Sequence, residues 1–190
     1  MVIMHPALIL AGGASSRMGR NKATVLVDGV AMIVRVAHAL RDAGCRPIYI
    51  AVRDMFQRQE VLAVLGHLTD VECVLDTVLE RGARSGLTSG LKMCQGLGVE
   101  RLQLAPCDVP WINSQVFERL SESCDDVVMP KGKQLQPLLS LVKVDPVLSA
   151  LQRFSSEMAL KDVMRGVPYK IINFDENGGF RNVNSQSDLR

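Results

Sequence analysis

The sequence predicts an α/β fold in which helices cover both faces of a mostly parallel sheet. Apolar runs of strand length alternate with segments of helical hydrophobic period. The strand-length runs are Ala7–Leu10, Pro47–Val52, Val71–Leu75 and Arg101–Ala105. The helical segments are Ala31–Arg41, Met55–Leu65 and Gly86–Cys94. This β-α-β-α order predicts a Rossmann-like, three-layer α/β/α arrangement, with right-handed crossovers that place the carboxyl ends of the strands and the ligand crevice at one edge.

The second half of the chain predicts a more mixed set of elements. Ser114 is a candidate N-cap for a short helix that runs to Leu120. Further strands are predicted at Asp126–Met129 and Leu138–Val144, joined by a polar turn. The last predicted elements are a helix near Met158–Arg165, a strand near Tyr169–Phe174 and a glycine turn at Glu176–Gly179.

Length and composition predict a single domain over residues 1–190, since 47% of the residues are hydrophobic. The net charge of +2 is spread along the chain without a dense Lys/Arg block, so neither a nucleic acid nor a membrane surface is predicted as a partner. The sequence shows no apolar segment of membrane-spanning length and no signal sequence. These features predict a cytoplasmic protein.

The cysteines and histidines give no indication of a metal site or a nucleophile. The five cysteines are widely separated and form no CxxC pair, which predicts reduced thiols. Cys107 lies next to Asp108, but no histidine is near it in sequence to activate a thiolate, so a packing role is predicted. None of the three histidines lies in a recognisable motif.

A glycine-rich loop follows the first predicted strand, at Leu10-Ala-Gly-Gly-Ala-Ser-Ser-Arg-Met-Gly-Arg-Asn-Lys22. Its paired glycines allow the backbone to approach a ligand closely. Backbone N–H groups, together with the Ser15 and Ser16 hydroxyls, are suited to phosphate oxygens, and Arg17 and Lys22 supply positive charge. The spacing is neither GxGxxG nor that of a P-loop.

This loop, LAGGxSxRMGxxK, resembles the signature of the molybdenum cofactor guanylyltransferases, a MobA-like nucleotidyltransferase family of glycosyltransferase-A-like fold. The resemblance implies that Leu10, Ala11, Gly12, Gly13, Ser15 and Lys22 bind the nucleotide and that Arg17 and Lys22 act in catalysis. Members that use CTP commonly carry LAAG in place of LAGG. Gly12 and Gly13 therefore favour GTP over CTP.

Two aspartates follow predicted strands at the same edge. Asp108 lies in a CDVP segment, immediately beyond Arg101–Ala105. Phosphoryl transfer to an anionic acceptor needs a divalent cation, and Asp108 is the predicted Mg²⁺ ligand. CDVP resembles the CDxP element of the family, whose aspartate coordinates magnesium. By the same resemblance, Asp76 contacts the nucleotide.

Other segments match the family with substitutions. Gly82–Leu87 stands where the family has GPLAGL but lacks the proline; the resemblance assigns Gly86 to nucleotide binding, and Arg84 is either a phosphate contact or a solvated loop residue. Ile50–Arg53 carries no counterpart of the family's guanine-reading asparagine. Gln136-Pro-Leu138 replaces the family's HPT on a predicted strand at the acceptor pocket.

The C-terminal segment Phe180-Arg-Asn-Val-Asn184 resembles the family's FxNVN element, in which the asparagines lie on the face that binds the pterin substrate. In a strand, Asn182 and Asn184 face the same side and Val183 faces the other. Two amides then converge on one ligand.

Taken together, these resemblances imply a Mg²⁺-dependent enzyme that transfers GMP from GTP to the terminal phosphate of molybdopterin and releases pyrophosphate. Molybdenum insertion and molybdoenzyme-delivery proteins are the implied partners. Two alternatives remain open at this stage. One is a related nucleotidyltransferase that uses CTP or another acceptor, such as cobinamide phosphate or phospholactate. The other is a nucleotide-binding module without turnover.

Overall fold

A computed structural model describes residues 5–11, 21–66, 68–76, 82–175 and 179–189. The strands within these residues are, in chain order, β1 (Ala7–Leu10), β2 (Leu26–Val27), β3 (Val30–Ala31), β4 (Ile48–Val52), β5 (Val71–Leu75), β6 (Arg101–Pro106), β7 (Val127–Lys131), β8 (Leu141–Lys143) and β9 (Tyr169–Asn173). The α-helices are α1 (Met32–Asp42), α2 (Met55–Leu65), α3 (Ala83–Gly96), α4 (Ser114–Ser121), α5 (Val144–Arg153) and α6 (Leu160–Arg165).

The main sheet has seven strands in the order β5-β4-β1-β6-β8-β7-β9. Strand β8 runs antiparallel to both of its neighbours, and the other paired strands are parallel. The four strands predicted from the first half of the sequence therefore lie side by side with a common direction. Their carboxyl ends meet at one edge, as the β-α-β-α order predicts.

Helices cover both faces of this sheet. Along β1, Ala7 and Ile9 belong to one hydrophobic cluster, and Leu8 and Leu10 belong to another. The first cluster includes apolar residues of α1, α2 and α4, and the second includes those of α3, α5 and α6. The alternation follows from the two-residue period of a strand. The predicted three-layer α/β/α fold is confirmed.

Helix α3 approaches the sheet closely because two of its buried residues are glycines. A Cβ at Gly86 would lie 3.1 Å from the Cβ of Ala51, and a Cβ at Gly90 would lie 2.3 Å from Cδ2 of Leu8. The helix begins at Ala83, three residues before the predicted start at Gly86, and Gly82 precedes it with a φ of 102°. The first turn of α3 thus lies near the functional edge of the sheet.

The predicted strand Leu138–Val144 is wrong at both ends. Pro137–Leu139 forms a 3₁₀ helix with proline in its first turn, and only Leu141–Lys143 forms a strand. Val144 begins α5, a helix that was not predicted from the sequence, and Pro146 lies in its first turn. Proline in the first turn of a helix costs little, since the N–H groups there have no intrahelical acceptor.

Two smaller differences concern helix starts. Asn113, and not Ser114, caps α4, because the Asn113 side chain accepts a hydrogen bond from the Val116 N–H at 3.3 Å. Ala31, the predicted start of the first helix, lies in β3 and pairs with Leu26 across a short hairpin. The longest helix in the described ranges has only 14 residues. No helix in these ranges is long and apolar enough to cross a membrane.

Candidate active site

The edge formed by the carboxyl ends of β1 and β6 brings together three of the predicted site residues. The ammonium of Lys22 lies 2.7 Å from Oδ2 of Asp108 and donates a second hydrogen bond to Oδ1 of Asn184 at 2.9 Å. The Lys22 and Asp108 side chains are 19% and 21% exposed, so this pair is shielded from bulk water and still reachable by a small ligand. Residues far apart in sequence thus meet around one cation.

Lys22 is held by a short 3₁₀ helix, Lys22–Thr24. The side chain of Asn21 caps this helix by accepting from the Ala23 N–H at 3.2 Å, and Ala23 itself is buried in the core. The backbone of Lys22 is therefore anchored on both sides. Only the side chain extends to Asp108.

Asp108 is fixed by the strand that precedes it and by the C-terminal segment. Cys107 N–H donates to the Leu10 carbonyl at 3.3 Å, which joins the end of β6 to the end of β1. The Asp108 carbonyl accepts from the Val183 N–H at 2.9 Å, and Val109 is fully buried. The carboxylate consequently sits where a strand ends, as the sequence predicts.

Asn184 follows a buried residue in a segment that is not a strand, which corrects the predicted strand geometry. Val183 is fully buried, whereas Asn182 and Asn184 are exposed, so the predicted alternation holds. The N–H groups of Asn184 and Ser185 donate to the Asp188 carboxylate at 2.7 and 2.8 Å, and they lower the pKa of that carboxyl. This turn holds Asn184 beside Lys22.

Gly179 allows the C-terminal segment to pass directly against the loop after β6. Its φ is +73°, and a Cβ there would lie 2.0 Å from the carbonyl oxygen of Trp111. Arg181 then stacks over the Trp111 ring, with its guanidinium carbon 4.9 Å from the ring centroid. Position 179 accepts only glycine for two separate reasons, conformation and space.

Gly179→Ala is predicted to destabilise the fold by about 2–3 kcal/mol, because the new Cβ must displace backbone and strain its own φ. The matched control is Gly98→Ala, since Gly98 has a similar φ of +70° with nothing within 4 Å of a Cβ. Strain alone predicts about 1 kcal/mol for the control. Urea unfolding measures both, and equal losses would contradict the role given to the Trp111 contact.

Asp76 lies at the end of β5 and is held by the first turns of α3. The hydroxyls of Ser85 and Ser89 both donate to its Oδ1 atom, the second at 3.0 Å. Strands β5 and β6 are separated by β4 and β1, and a strand spacing of about 4.8 Å puts them roughly 14 Å apart. Asp76 and Asp108 therefore lie at the same edge but in different parts of the crevice.

Arg84 has a structural role that the sequence did not indicate. Its guanidinium donates to the carbonyls of Leu151 and Phe154, each at 2.8 Å, and to that of Ser155 at 2.9 Å. These carbonyls belong to the last turn of α5 and the residues after it, where carbonyl groups lack intrahelical donors. Arg84 thus joins the start of α3 to the end of α5 and is not the solvated loop residue that was one of its two predicted roles. The predicted phosphate contact stays a prediction.

The remaining predicted positions are distributed as follows. Leu10 and Ala11 are buried at the carboxyl end of β1, and Gly86 packs on β4. Gly12, Gly13, Ser15, Ser16 and Arg17 lie outside the described residues. Gln136 was predicted to lie on a strand, but this prediction is wrong, because Gln136 immediately precedes the 3₁₀ helix Pro137–Leu139. Their ligand roles stay predictions.

Cys107 is a packing residue, as the sequence predicts. It is 6% exposed, and burial, followed by the charge of Asp108, raises the pKa of its thiol to about 12. Because the pKa is raised, the neutral thiol persists throughout the neutral and mildly alkaline range. The nucleophilic thiolate is therefore scarce at working pH.

Iodoacetamide at pH 8 is accordingly expected to label the exposed Cys124 and to leave Cys107 unmodified in the native protein. Peptide mass spectrometry locates the label, and labelling in denaturant shows that both cysteine peptides can be detected. Modification of native Cys107 at the rate of Cys124 would contradict the packing role.

Several residues of this site carried no recognisable sequence signal. Gln57 of α2, which is 3% exposed, contacts both ends of the first loop, and Gly179 and Asp188 shape the C-terminal segment. Ser85 and Ser89 are four residues apart and thus share a helix face, a spacing that could have linked them to Asp76. The roles of Gln57 and Gly179 depend on neighbours that are remote in sequence.

Comparison with known proteins identifies the family of this chain. The sequence profile of the MobA-like NTP transferase domain matches residues 7–171. A probable molybdenum cofactor guanylyltransferase of Opitutus terrae is 30% identical over 148 residues, which cover 76% of this chain and 69% of that protein. A probable molybdenum cofactor guanylyltransferase of Flavobacterium johnsoniae is 26% identical, with 95% and 92% covered.

The fold also matches a solved structure. Molybdopterin-guanine dinucleotide biosynthesis protein A of Archaeoglobus fulgidus superposes with a TM-score of 0.73 at 19% identity, covering 97% of this chain and 94% of that one. At this identity the likeness concerns the fold. Because the profile covers most of the sequence and a relative reaches 30% identity, this chain belongs to the MobA-like NTP transferase family.

Proposed function

We propose that this protein transfers GMP from GTP to the terminal phosphate of molybdopterin and releases pyrophosphate. The observation that carries the proposal is the contact of Lys22 with both Asp108 and Asn184. Lys22 belongs to the glycine-rich loop, Asp108 to the CDVP segment and Asn184 to the C-terminal asparagine segment. Three separately recognised motifs therefore converge on one ammonium group, and the relatives named molybdenum cofactor guanylyltransferase support the same reaction.

Lys22 is suited to the phosphates of the nucleotide. Its ammonium is partly shielded, and the loop that precedes it begins at the end of β1, next to β6. A cation in such a setting interacts with a phosphate more strongly than it does in open water. Lys22 is thus assigned to charge neutralisation at the reacting phosphates, together with Arg17 of the same loop.

Asp108 fits a Mg²⁺ ligand. It presents a partly exposed carboxylate at a strand end, and Mg²⁺ is commonly held by one or two carboxylates together with substrate phosphates. When bound, Mg²⁺ would neutralise phosphate charge and hold the reacting groups in register. The same carboxylate orients the Lys22 ammonium through a 2.7 Å contact. We propose Asp108 as the metal ligand on these grounds.

The acceptor is assigned to the side of the site that carries Asn182 and Asn184. Both amides are exposed and flank the buried Val183, so their backbone positions are fixed while their side chains remain available. The Asn184 amide also accepts from Lys22. The proposed acceptor side therefore touches the proposed nucleotide side, as transfer between two bound substrates requires.

In the proposed reaction, an oxygen of the molybdopterin phosphate attacks the α-phosphorus of GTP. A new P–O bond forms, the bond from the α-phosphorus to the oxygen that bridges it to the β-phosphorus breaks, and pyrophosphate leaves with that oxygen. No side-chain nucleophile is needed, so the protein contributes orientation and positive charge. The raised pKa of Cys107 agrees with this scheme, since the cysteine nearest to Asp108 in sequence is protonated.

The nucleotide and the acceptor are tested together by pyrophosphate release. GTP, CTP and ATP are each supplied with Mg²⁺, with and without molybdopterin, and release only with GTP plus molybdopterin is expected. Release with CTP instead would overturn the base assignment that rests on Gly12 and Gly13. Nucleotide binding without release would favour another phosphorylated acceptor or a non-catalytic module. The cytoplasmic location, the single domain, and the insertion and delivery partners stay predictions from the sequence.

A further inference from the structure

A buried amide spans the two ends of the glycine-rich loop. Gln57 lies in the first turn of α2 and is 3% exposed. Its Nε2 donates to the Ala11 carbonyl at 2.7 Å and to Oδ1 of Asn21 at 3.3 Å. Ala11 is the last described residue before the loop, and Asn21 is the first described residue after it. One side chain thus binds both points at which the loop joins the fold.

The amide of Gln57 is itself rigidly held. The side-chain Oε1 accepts from the backbone N–H of Arg53 at 2.7 Å. The backbone N–H of Gln57 donates at 2.8 Å to the side chain of Asp54, which caps α2. Both hydrogens and the oxygen of the side-chain amide therefore have partners. A fully paired buried amide is costly to disturb, because any unpaired group loses its hydrogen bond without gaining water.

Asn21 connects this amide to the active-site lysine. The same Oδ1 that accepts from Gln57 also accepts from the Ala23 N–H, and the Asn21 Nδ2 donates to Glu60 of α2 at 3.0 Å. Lys22 is the next residue. Helix α2 consequently fixes the backbone from which the ammonium reaches Asp108.

We propose that Gln57 is a positioning residue for nucleotide binding. It sets the separation of the loop ends at Ala11 and Asn21, and through Asn21 it sets the direction in which Lys22 leaves the backbone. This inference rests on the proposed function, in which the loop and Lys22 hold the nucleotide phosphates. Core packing does not require an amide here, since α2 already packs on the sheet through Val61 and Leu65.

Gln57→Glu separates the loop contacts from the helix contact. The glutamate retains one oxygen for the Arg53 N–H but places a second oxygen against the Ala11 carbonyl and Oδ1 of Asn21, where a donor is needed. The matched control is Gln95→Glu, because the exposed Gln95 amide donates to Asp145 at 2.8 Å on the surface of α3. Both variants make the same chemical change, and only the first affects the loop.

Two measurements are made on each variant. Hydrogen exchange reports the Thr24 and Val25 amides, which donate to Asn21 and Lys22 carbonyls at 3.2 Å each. Calorimetry reports the Kd for GTP. We expect Gln57→Glu to accelerate exchange at both amides and to weaken GTP binding, each by about tenfold, as loss of a buried hydrogen bond implies. Gln95→Glu is expected to leave both values unchanged.

A structural role alone would not couple Gln57 to Lys22. In a Lys22→Met background, Gln57→Glu is expected to weaken GTP binding by less than it does in the native protein, since part of the effect of Gln57 passes through that ammonium. Glu60→Leu removes only the hydrogen bond that the Asn21 Nδ2 donates to Glu60. It is expected to accelerate exchange and weaken GTP binding as Gln57→Glu does, but by smaller factors. It provides the comparison if Gln57→Glu does not fold.

The outcomes distinguish this inference from the proposed function. Faster exchange with unchanged GTP affinity would overturn the positioning role, as would equal effects of Gln57→Glu in the two backgrounds. Native protein that binds no GTP would instead overturn the nucleotide assignment, and the exchange rates would still decide whether Gln57 holds the loop ends.

Discussion

Lys22→Met is expected to lower kcat/KM for GTP by about a thousandfold, a loss of about 4 kcal/mol in transition-state stabilisation. The change removes the ammonium but keeps most of the length of the side chain. Asp108 and Asn184 both lose their contact with the cation, while the surrounding backbone keeps its own hydrogen bonds. Steady-state pyrophosphate release with GTP and molybdopterin measures the loss, and thermal unfolding checks that the fold survives.

Lys143→Met is the matched control for this variant. Lys143 pairs with Asp126 at 2.7 Å with side-chain exposures of 32% and 25%, a geometry close to that of the Lys22 pair. In the sheet, Lys143 lies opposite Arg101 at the amino end of β6, whereas Asp108 follows the carboxyl end. Activity within about twofold of native is expected for the control, because a partly exposed ion pair contributes little to stability. If Lys22→Met stayed as active as Lys143→Met, the assignment of Lys22 to the phosphates would fail.

Asp108→Asn is expected to lower kcat by about two to four orders of magnitude and to raise the Mg²⁺ concentration needed for half-maximal activity. Asparagine keeps the size and one oxygen of the side chain but removes its negative charge. The variant therefore loses metal affinity and the ion pair with Lys22 while packing is preserved. Initial rates over a Mg²⁺ titration separate the change in kcat from the change in the Mg²⁺ concentration needed for half-maximal activity.

Asp126→Asn provides the corresponding control, since it removes the charge from the Lys143 pair. It is expected to keep the native Mg²⁺ dependence. An Asp108→Asn enzyme with native kcat and an unshifted titration would remove Asp108 from the proposed metal site. The double variant Lys22→Met/Asp108→Asn is expected to lose less than the sum of the single losses, because the two groups act on the same phosphates.

The sequence was sufficient for the elements whose signal is local. Strands β1 and β5 and helix α2 have the predicted bounds. The ends of α2 are marked by local residues, since Asp54 caps its start and Gly66 follows its end. Asp108 was predictable because it lies just beyond a buried strand, two residues after the end of β6. Its position at the ligand-binding edge is a consequence of parallel topology alone.

What the sequence did not indicate depends on contacts between remote segments. Arg84 was predicted to meet either phosphate or solvent, yet it binds carbonyls of Leu151 and Phe154, in the last turn of α5 and just beyond it. Helix α5 itself was missed, so its need for a C-terminal donor could not be foreseen. Gln57 likewise has no motif, and its role follows only from the folding of α2 against Ala11 and Asn21.

Isotopic labelling shows whether the α-phosphoryl group of GTP moves to molybdopterin at the Lys22–Asp108 edge. The native enzyme is supplied with Mg²⁺, molybdopterin and GTP labelled at either the α- or the γ-phosphorus. We expect the α-label to enter the pterin product and the γ-label to leave as pyrophosphate, and Asp108→Asn to slow both by about two to four orders of magnitude. Retention of α-label in free nucleotide while native enzyme, GTP and molybdopterin are all present would contradict this transfer.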